Sequence, residues 1–545
     1  MLSTGTRCSV LGIAATVLCF SGPGIIQAQH QHGQGGEKPA MLLSGLGSHT
    51  HPIATRNPEA QKFFDQGLTL LYGFNRYEAL RSFRRASQLD PGALMPHWGV
   101  AMALGPHINM DIDGDVQMKE SCEAVRAGLL LRDRSAEHER PYIDAVASRC
   151  PEYRPATYQQ SMRELMQRYP DDLDAATLCA ESLMIPVRWR WWAPDGTPAE
   201  GMEEAVRILE GVLRRDPDHP GANHFYIHAV EMSPSPERAI PSALRLMGAV
   251  PAAGHLVHMP GHIWLLLGDY ELTADVNENA AERDREYMQT TGVSASAYAG
   301  YYIHNLHFVA YARSMEGRKA DAIRAAETIS EAIMPFIKQM PAMVDAFVPI
   351  PIFAFLRFQQ WDQILALKAP DSVLPASTAV WHFGRAIALA AKGNRQEALG
   401  EKEEFQKAIQ KVTEDQLWLN NKTVNVLKIA SAMLETRLAG NDQAAIPIWN
   451  QTVSHEDALS YDEPPAWFFP VRESLGGALL RSGQAEQAEV VFREGLRRRP
   501  RNGRMLFGLM KCLEAQKKIH AAELVRREYE TAWKHADITL RVEDL

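Results

Sequence analysis

The sequence predicts an all-α fold in which repeated antiparallel helix pairs stack into an α-solenoid. Apolar residues recur with helical rather than alternating spacing along nearly the whole chain. The predicted helices are about 12 to 15 residues long, and Gly-Asp, Gly-Arg, Asp-Pro and Asn-Gly turns separate them. The chain has 545 residues, 46% hydrophobic and 23% charged. This is the composition of a folded protein long enough for an extended repeat array.

The first residues have the features of an export signal. Arg7 precedes a short apolar run at residues 8–20, and small residues lead up to Ala28. We therefore expect a signal peptide at residues 1–28 and a periplasmic or secreted protein. The apolar run is too short to span a bilayer and no later run reaches about 20 apolar residues, so we expect no integral membrane segment after cleavage. Residues 29–59, which begin rich in Gln, Gly and His, are expected to form a disordered linker.

Net charge and cysteine content narrow the kinds of partner and of covalent cross-link that the chain is expected to have. A net charge of −9 over this length predicts no basic surface, so nucleic acid is not an expected partner. Cys122 begins one predicted helix and Cys150 ends the next, so antiparallel packing would bring them together. In an exported protein this pair is either a disulfide or two separate thiols. Cys179 and Cys512 are expected to be buried thiols.

The segment at residues 61–91 resembles a tetratricopeptide repeat (TPR), a unit of two antiparallel helices. The small, aromatic and proline positions of that family are filled by Gly67, Ala79, Phe83, Ala86 and Pro91. The same frame is followed near the other end by Gly476, Ala488, Phe492, Gly495 and Pro500. Small residues let the paired helices touch, and proline ends the second helix. The chain also resembles a group of exported bacterial repeat proteins that carry segments such as HLVHMPGHIW and YDEPPAWFFPVRESLG.

The resemblance implies a right-handed superhelix of about ten to twelve helix pairs. We expect N-terminal TPR-like repeats at residues 60–280, an irregular insertion at residues 281–302, and C-terminal TPR-like repeats at residues 303–545. TPR solenoids usually bind peptides or proteins. The resemblance therefore also implies a peptide or protein ligand in the concave groove.

Seven histidines and one glutamate stand out against this background. They are His224, His228, Glu231, His255, His258, His262, His304 and His307. Three repeats can be framed without using any histidine, beginning at Pro220, Gly254 and Ile303. In that frame all eight residues occupy first-helix positions that line the concave face in the TPR family. Histidine makes up only 19 of the 545 residues, so fewer than about one would be expected at twelve such positions.

These residue types predict a transition-metal site. Packed helices lie roughly 8 to 10 Å apart, so inward side chains from neighbouring repeats can converge. Imidazole and carboxylate ligands without a nearby thiolate suit Zn, Cu, Fe or Mn. Eight candidates exceed the need of one ion, so either two ions bind or some residues support the ligands. Glu231 is a candidate ligand or a catalytic general base acting on metal-bound water.

Three alternatives stay open at this point. The first is a metal-free TPR scaffold whose concave histidines hold a peptide or partner protein. Whether a bound metal would carry out chemistry, hydrolytic or oxidative, is also undetermined. Finally, Trp189, Trp191 and Trp192 form either a stacking platform or an insertion packed against the solenoid. His49 and His51, which precede the first repeat, are expected to be loop residues.

Overall fold

The computed structural model describes residues 39–110 and 114–545. The helices of the first part are α1 (Pro58–Tyr72), α2 (Arg76–Leu89), α3 (Met95–Leu104), α4 (Gly114–Leu131), α5 (Arg140–Ala147), α6 (Pro155–Arg168), α7 (Leu173–Met184), α8 (Met202–Arg215), α9 (Pro220–Glu231), α10 (Ile240–Ala249), α11 (Gly254–His258) and α12 (Pro260–Leu266).

The helices of the second part are α13 (Tyr270–Thr291), α14 (Ala295–Met315), α15 (Lys319–Ile333), α16 (Pro341–Val344), α17 (Ile350–Arg357), α18 (Trp361–Ala366), α19 (Pro375–Ala391), α20 (Arg395–Ile409), α21 (Thr423–Leu438), α22 (Asp442–Asp457), α23 (Val471–Arg481), α24 (Ala485–Arg498), α25 (Gly503–Ala515) and α26 (Ile519–Ala532). A short hairpin, β1 (Leu417–Trp418) with β2 (Asn421–Lys422), precedes α21. Single 3₁₀ turns lie at Arg132–Arg134, Ile185–Val187, Pro236–Ala239, Met334–Phe336 and Val542–Asp544.

Short turns join most consecutive helices, and longer segments at residues 185–201, 410–422 and 458–470 join the others. Consecutive helices pack against each other in pairs such as α1 with α2, α13 with α14 and α25 with α26. The glycines of the repeat frame explain this close packing. A Cβ added at Gly67 would lie 2.7 Å from the Phe83 ring, and one at Gly476 would lie 2.5 Å from the Phe492 ring. Real Cβ atoms do not approach so closely, so only glycine lets these helices touch. The expected all-α array of TPR-like helix pairs is confirmed.

The predicted insertion at residues 281–302 is wrong. Helix α13 continues to Thr291, Gly292 ends it in the left-handed region at φ 71°, and α14 starts at Ala295. The helix continues because its inner face stays buried, with Asp284 and Tyr287 facing the neighbouring helices. The unit is therefore a lengthened helix pair rather than a break in the array.

The segment before α1 also differs from the expected disordered linker. Residues 39–57 are irregular, but they lie on the first repeats as a strap, with Leu46 and Ile53 buried. The Leu43 N–H donates to Gln66 Oε1 at 2.7 Å, and the Ala252 N–H donates to the Gly45 carbonyl at 2.9 Å. The signal peptide expected at residues 1–28 lies outside the described residues. Among the described residues, no helix has the length and apolarity needed to cross a membrane.

The cysteine alternatives are resolved in favour of a bonded pair. Cys122 and Cys150 form a disulfide with their Cα atoms 5.6 Å apart. It joins α4 to the end of the turn that follows α5. Cys179 and Cys512 are buried free thiols, as expected.

The array curls until distant helices meet. Helix α9 packs against α1, and a Cβ at Gly221 would lie 2.4 Å from the Tyr72 ring. The Tyr287 hydroxyl donates to Glu78 Oε2 at 3.3 Å, which joins α13 to α2. The apolar core falls into two large clusters, one within residues 46–276 and one within residues 265–545, and a small one of Tyr287, Val293 and Tyr298. The histidines of interest lie where the two large clusters meet.

Candidate metal centre

The histidine-bearing helices are α9, α11, α12 and α14. Helix α9 carries His224, His228 and Glu231, the adjoining α11 and α12 carry His255, His258 and His262, and α14 carries His304 and His307. These side chains point inward as predicted, but they do not line an open groove. All except the partly exposed His304 are at most 3% exposed. Loops from other repeats cover them, so the expected concave surface is a packed interior.

The first of two histidine triads comprises His224, His228 and His255. Their candidate ligand atoms all lie within 4.8 Å of one another, and the Nε2 atoms of His224 and His255 are 3.2 Å apart. His224 Nδ1 donates to the Tyr72 carbonyl at 2.5 Å. His228 Nδ1 donates to Glu231 Oε1 at 2.9 Å. In both rings the proton is therefore on Nδ1, and Nε2 presents a lone pair to the triad.

The second triad comprises His258, His262 and His304, again with ligand atoms within 4.8 Å. His258 Nδ1 donates to Asn277 Oδ1 at 2.6 Å. The amide of Asn277 is oriented by its own donation to the Thr273 carbonyl at 2.7 Å, which leaves Oδ1 as the acceptor. His262 Nδ1 donates to Glu231 Oε2 at 2.7 Å. The Nε2 atoms of His258 and His262 then face each other at 2.7 Å.

The contact between His258 Nε2 and His262 Nε2 is the central electrostatic feature of the site. With both Nδ1 protons already donated, two neutral rings would point lone pair against lone pair. Such an arrangement is stable only if a cation, either an added proton or a metal ion, lies between or beside the two nitrogens. Four nitrogens around a tetrahedral metal at 2.0–2.1 Å lie roughly 3.4 Å apart. The 3.2 Å between His224 and His255 is close to this value, and the 2.7 Å between His258 and His262 is shorter. A ring that donates Nδ1–H to an oxygen while presenting Nε2 is also the usual arrangement of a metal-bound histidine.

Glu231 links the two triads. One carboxylate oxygen accepts from His228 and the other from His262, so each oxygen supports a ligand ring of a different triad. Burial opposes ionisation of this carboxyl, but the two histidines hold its pKa below the ordinary value. Both oxygens are occupied by N–H donors, and Glu231 is therefore placed as a support for the ligands. Glu231 also forms a third possible metal-binding group with His228 and His262, whose ligand atoms lie within 4.8 Å of one another, so its expected roles as a metal ligand or general base stay predictions.

Burial also sets the protonation of the histidines. It lowers the pKa well below the ordinary value, with further lowering by neighbouring rings, for His224, His255, His258 and His304. The neutral imidazole is the form that binds metals. His262 is the exception, since Glu463 and Glu231 outweigh burial and raise its pKa to about 10. Without a metal this ring therefore carries the proton that lies between the two Nε2 atoms, and a bound metal ion would have to displace that proton.

A small cavity lies beside the triads. Its volume is about 30 Å³, and its wall includes His228, His255, His262 and His304. This space suits an ion or one or two waters, and it is far below the size of a site for a peptide side chain. Whatever contacts the metal-facing nitrogens from this side must be small.

Three of the six non-glycine residues with a positive φ in the described part of the chain lie around the same place. Phe74, Trp189 and Leu419 have positive φ values of 55°, 57° and 54°. Trp189 and Leu419 line the cavity, and the Phe74 ring centroid lies 4.4 Å from that of His224. Non-glycine residues in this region cost of order 1–3 kcal/mol each and cluster at functional sites. For the tryptophan segment the packing alternative holds, since Trp191 is fully buried and Trp189 lies edge-on to His228.

His307 lies outside both triads. Its ring packs against Phe347 and Phe468, with centroids 5.7 and 6.3 Å away. Burial lowers its pKa to about 3. His307 and His304 are three residues apart on α14, but His307 packs into the apolar core of the second part of the chain.

Glu463 is a site residue that the histidine pattern did not reveal. It lies in the loop between α22 and α23, contacts His262 Nδ1 and lines the cavity. The available signal was the acidic pair in the YDEPPAWFFP segment, which the resemblance to exported repeat proteins had already singled out. Its distance in sequence from the histidines concealed the connection.

A second polar cluster surrounds Asp174 in the wall of an open cavity of about 1290 Å³. Its carboxylate accepts hydrogen bonds from the Tyr72 hydroxyl at 2.6 Å, His51 Nδ1 at 2.8 Å, His49 Nε2 at 3.0 Å and His219 Nε2 at 3.3 Å. His219 Nδ1 accepts the Ala222 N–H at 3.1 Å, so its Nε2 must carry the proton and donate. The cluster is thus a carboxylate satisfied by four donors, which holds the strap and its two loop histidines on the repeats.

Comparisons with known proteins add little to this description. A scan against protein-family models and a search of curated proteins gave no match. Among solved structures, human IFIT1 in a dimer with m7Gppp-AAAA is 11% identical, with a TM-score of 0.34, over 88% of this chain and 91% of that one. The P58(IPK) TPR domain is 12% identical, with a TM-score of 0.21, over 84% and 99%. A chain of the APC/C hetero-tetramer Cut9-Hcn1 is 13% identical, with a TM-score of 0.27, over 85% and 78%. Likeness at this level assigns no function to the chain.

Proposed function

We propose that this chain is an exported TPR-like scaffold protein that holds two transition-metal ions, one in each histidine triad. The observation that carries the proposal is the 2.7 Å contact between His258 Nε2 and His262 Nε2, in rings whose Nδ1 protons are already donated to oxygen acceptors. In the first triad, His224 and His228 likewise donate Nδ1–H to oxygen acceptors and leave Nε2 for a metal. Two separate groups of three nitrogens support two ions better than one.

The chemistry of the donor set favours copper or zinc among the expected metals. The six triad side chains are all imidazoles, whereas Glu231 is engaged by N–H donors. Imidazole ligands suit copper and zinc, and carboxylate-rich sites suit manganese and the harder ions. Three protein ligands leave room for a further small ligand, as in catalytic zinc sites. The small cavity beside the triads provides a place where metal-dependent chemistry on a small molecule could occur.

The metal-free scaffold is not favoured as an explanation of these histidines. Rings that are nearly all at most 3% exposed cannot hold a peptide or a partner protein. A peptide or protein partner would have to bind elsewhere on the TPR-like scaffold. Export is supported by the signal-like features of residues 1–28 and by the Cys122–Cys150 disulfide, because disulfides persist in oxidising compartments.

Metal analysis tests the proposal directly. The full chain is produced without a polyhistidine tag, dialysed against chelator, reconstituted with Cu²⁺ or Zn²⁺ and measured by elemental analysis. We expect about two tightly bound ions per chain. His228→Gln should lose metal, whereas His307→Gln, a matched buried histidine outside the triads, should retain it. Fewer than about 0.2 equivalents after reconstitution would refute the metal centre and leave the scaffold alone.

A further inference from the structure

Glu463 reaches the histidines from a distant part of the chain. Its loop joins α22 to α23, and its side chain is 3% exposed. The neighbouring carboxylate of Asp462 is well satisfied, since it accepts from Asn421 Nδ2 at 2.6 Å and from the Asn420 N–H at 3.0 Å. Among the described residues, neither oxygen of Glu463 accepts a hydrogen bond of normal geometry. Of these two adjacent acids, Asp462 therefore has two well-placed hydrogen-bond donors and Glu463 has none of normal geometry.

The nearest polar group serves two carboxylates at once. His262 Nδ1 contacts both Glu463 and Glu231, and it has a single proton for the two. Two buried carboxylates that share one proton keep negative charge away from water, and a cation beside them would compensate it. Glu463 also shares the wall of the 30 Å³ cavity with His255 and His304, which belong to different triads. A cation held by triad histidines on the cavity side would therefore share that cavity with the Glu463 carboxylate.

We propose that Glu463 is an oxygen ligand of the metal centre, bound to the ion of the second triad on the side that faces the cavity. This assignment rests on the proposed function and adds a residue to it. The carboxylate would supply negative charge to an ion otherwise held by neutral imidazoles. Because Glu463 belongs to the loop at residues 458–470, metal binding would also fasten that loop to α12 and α14.

The test compares two adjacent acid-to-amide variants in the full-length protein. Glu463→Gln removes the proposed ligand oxygen, and Asp462→Asn is the matched control in the same loop. Both proteins and the unmodified chain are titrated with Co²⁺, whose visible absorption reports its ligands. For Glu463→Gln we expect one of the two ions to bind at least about tenfold more weakly, with a changed absorption spectrum. Asp462→Asn should leave the spectrum and both affinities of the unmodified protein.

Loop protection gives a second readout. Bound Co²⁺ should slow proteolytic cleavage in the loop at residues 458–470 in the unmodified protein and in Asp462→Asn, and it should not do so in Glu463→Gln. If circular dichroism shows that Glu463→Gln fails to fold, Glu463→Asp is measured instead. That variant keeps the charge but shortens the reach, so a shifted Co²⁺ spectrum is expected.

The failures of the two proposals are distinguishable. If the unmodified protein does not bind Co²⁺, the proposed metal centre as a whole is refuted. If the unmodified protein binds two ions, and a folded Glu463 variant binds them with unchanged affinity, spectrum and loop protection, only the assignment of Glu463 is overturned.

Discussion

Glu231 is the residue whose replacement most directly tests the linkage between the triads. Its two oxygens accept Nδ1–H donors from His228 at 2.9 Å and His262 at 2.7 Å. In Glu231→Gln the amide keeps one acceptor oxygen and replaces the other with an NH₂ group. The histidine facing that NH₂ must move its proton to Nε2 in order to accept, and it can then no longer present a lone pair to a metal.

The magnitude follows from the loss of one supporting hydrogen bond. Removing such a partner typically weakens metal binding by 10–100-fold, or about 1.4–2.7 kcal/mol. Only one of the two rings faces the new NH₂ group, so one ion should be weakened and the other should remain tight. We expect competition titration against a chromophoric chelator to change from two tight equivalents to one tight and one weaker.

The matched comparison is Asn277→Ala, which removes the acceptor of His258 alone. It should weaken the ion of the second triad and leave the first unaffected. If Glu231→Gln binds both ions with the affinity of the unmodified protein, the deduced proton positions are wrong. In that case Glu231 does not fix the proton positions of His228 and His262, and its role as the support shared by the two triads is refuted.

Three further predictions concern the scaffold around the site. Replacing Cys122 and Cys150 by Ser should lower the free energy of unfolding by about 3–4 kcal/mol, since the disulfide closes a 28-residue separation, and denaturant unfolding with and without reductant measures this loss. Gly221→Ala should lower the free energy of unfolding by about 1–3 kcal/mol, because the new Cβ would lie 2.4 Å from the Tyr72 ring. It should also weaken metal binding, since the backbone carbonyl of Tyr72 supports the first triad, and differential scanning calorimetry and metal titration measure the two effects. Burial opposes the charged forms, but mutual hydrogen bonds lower the pKa of Asp174 below 3.8 and raise those of its two strap histidines above 6.5. The stability that the ionised carboxylate gives the strap is lost as pH falls through its lowered pKa, and the stability that the charged histidines give is lost as pH rises through their raised pKa values. Hydrogen exchange should therefore show greatest protection of the strap between about pH 3.8 and 6.5. Asp174→Asn should remove that maximum.

Local patterns predicted those parts of the structure that depend on neighbouring residues. The repeat frame placed Gly67 against Phe83 correctly, because close helix packing requires a small residue opposite an aromatic ring. The periodicity of the histidines likewise predicted their inward orientation. It did not predict His307, since spacing gives the face of a helix but not the neighbour that covers it. Phe468, which packs on that ring, lies in a loop more than 150 residues away.

The contacts that complete the site depend on the curvature of the whole array. Tyr72 ends α1, yet its carbonyl supports His224 because α9 folds back onto α1. Glu463 reaches His262 from the other part of the chain for the same reason. Curvature accumulates from small rotations between successive repeats, which a single sequence does not specify. The sequence therefore predicted a groove lined by histidines where the structure has a closed interior.

Closure changes what the histidines can do. In an open groove each ring would be hydrated, and seven imidazoles could remain without a common partner. In the interior, the ring nitrogens and the carboxylates of Glu231 and Glu463 have lost water, and each unsatisfied group costs about 1–3 kcal/mol or more. The strained backbone at Phe74, Trp189 and Leu419 adds a further cost. These free-energy costs fall on residues that lie where the two large apolar clusters meet, and the repeat fold itself does not require them there. A pair of bound cations would offset them by joining residues from both parts of the chain, and the protein should accordingly unfold at a lower temperature after chelation than after reconstitution.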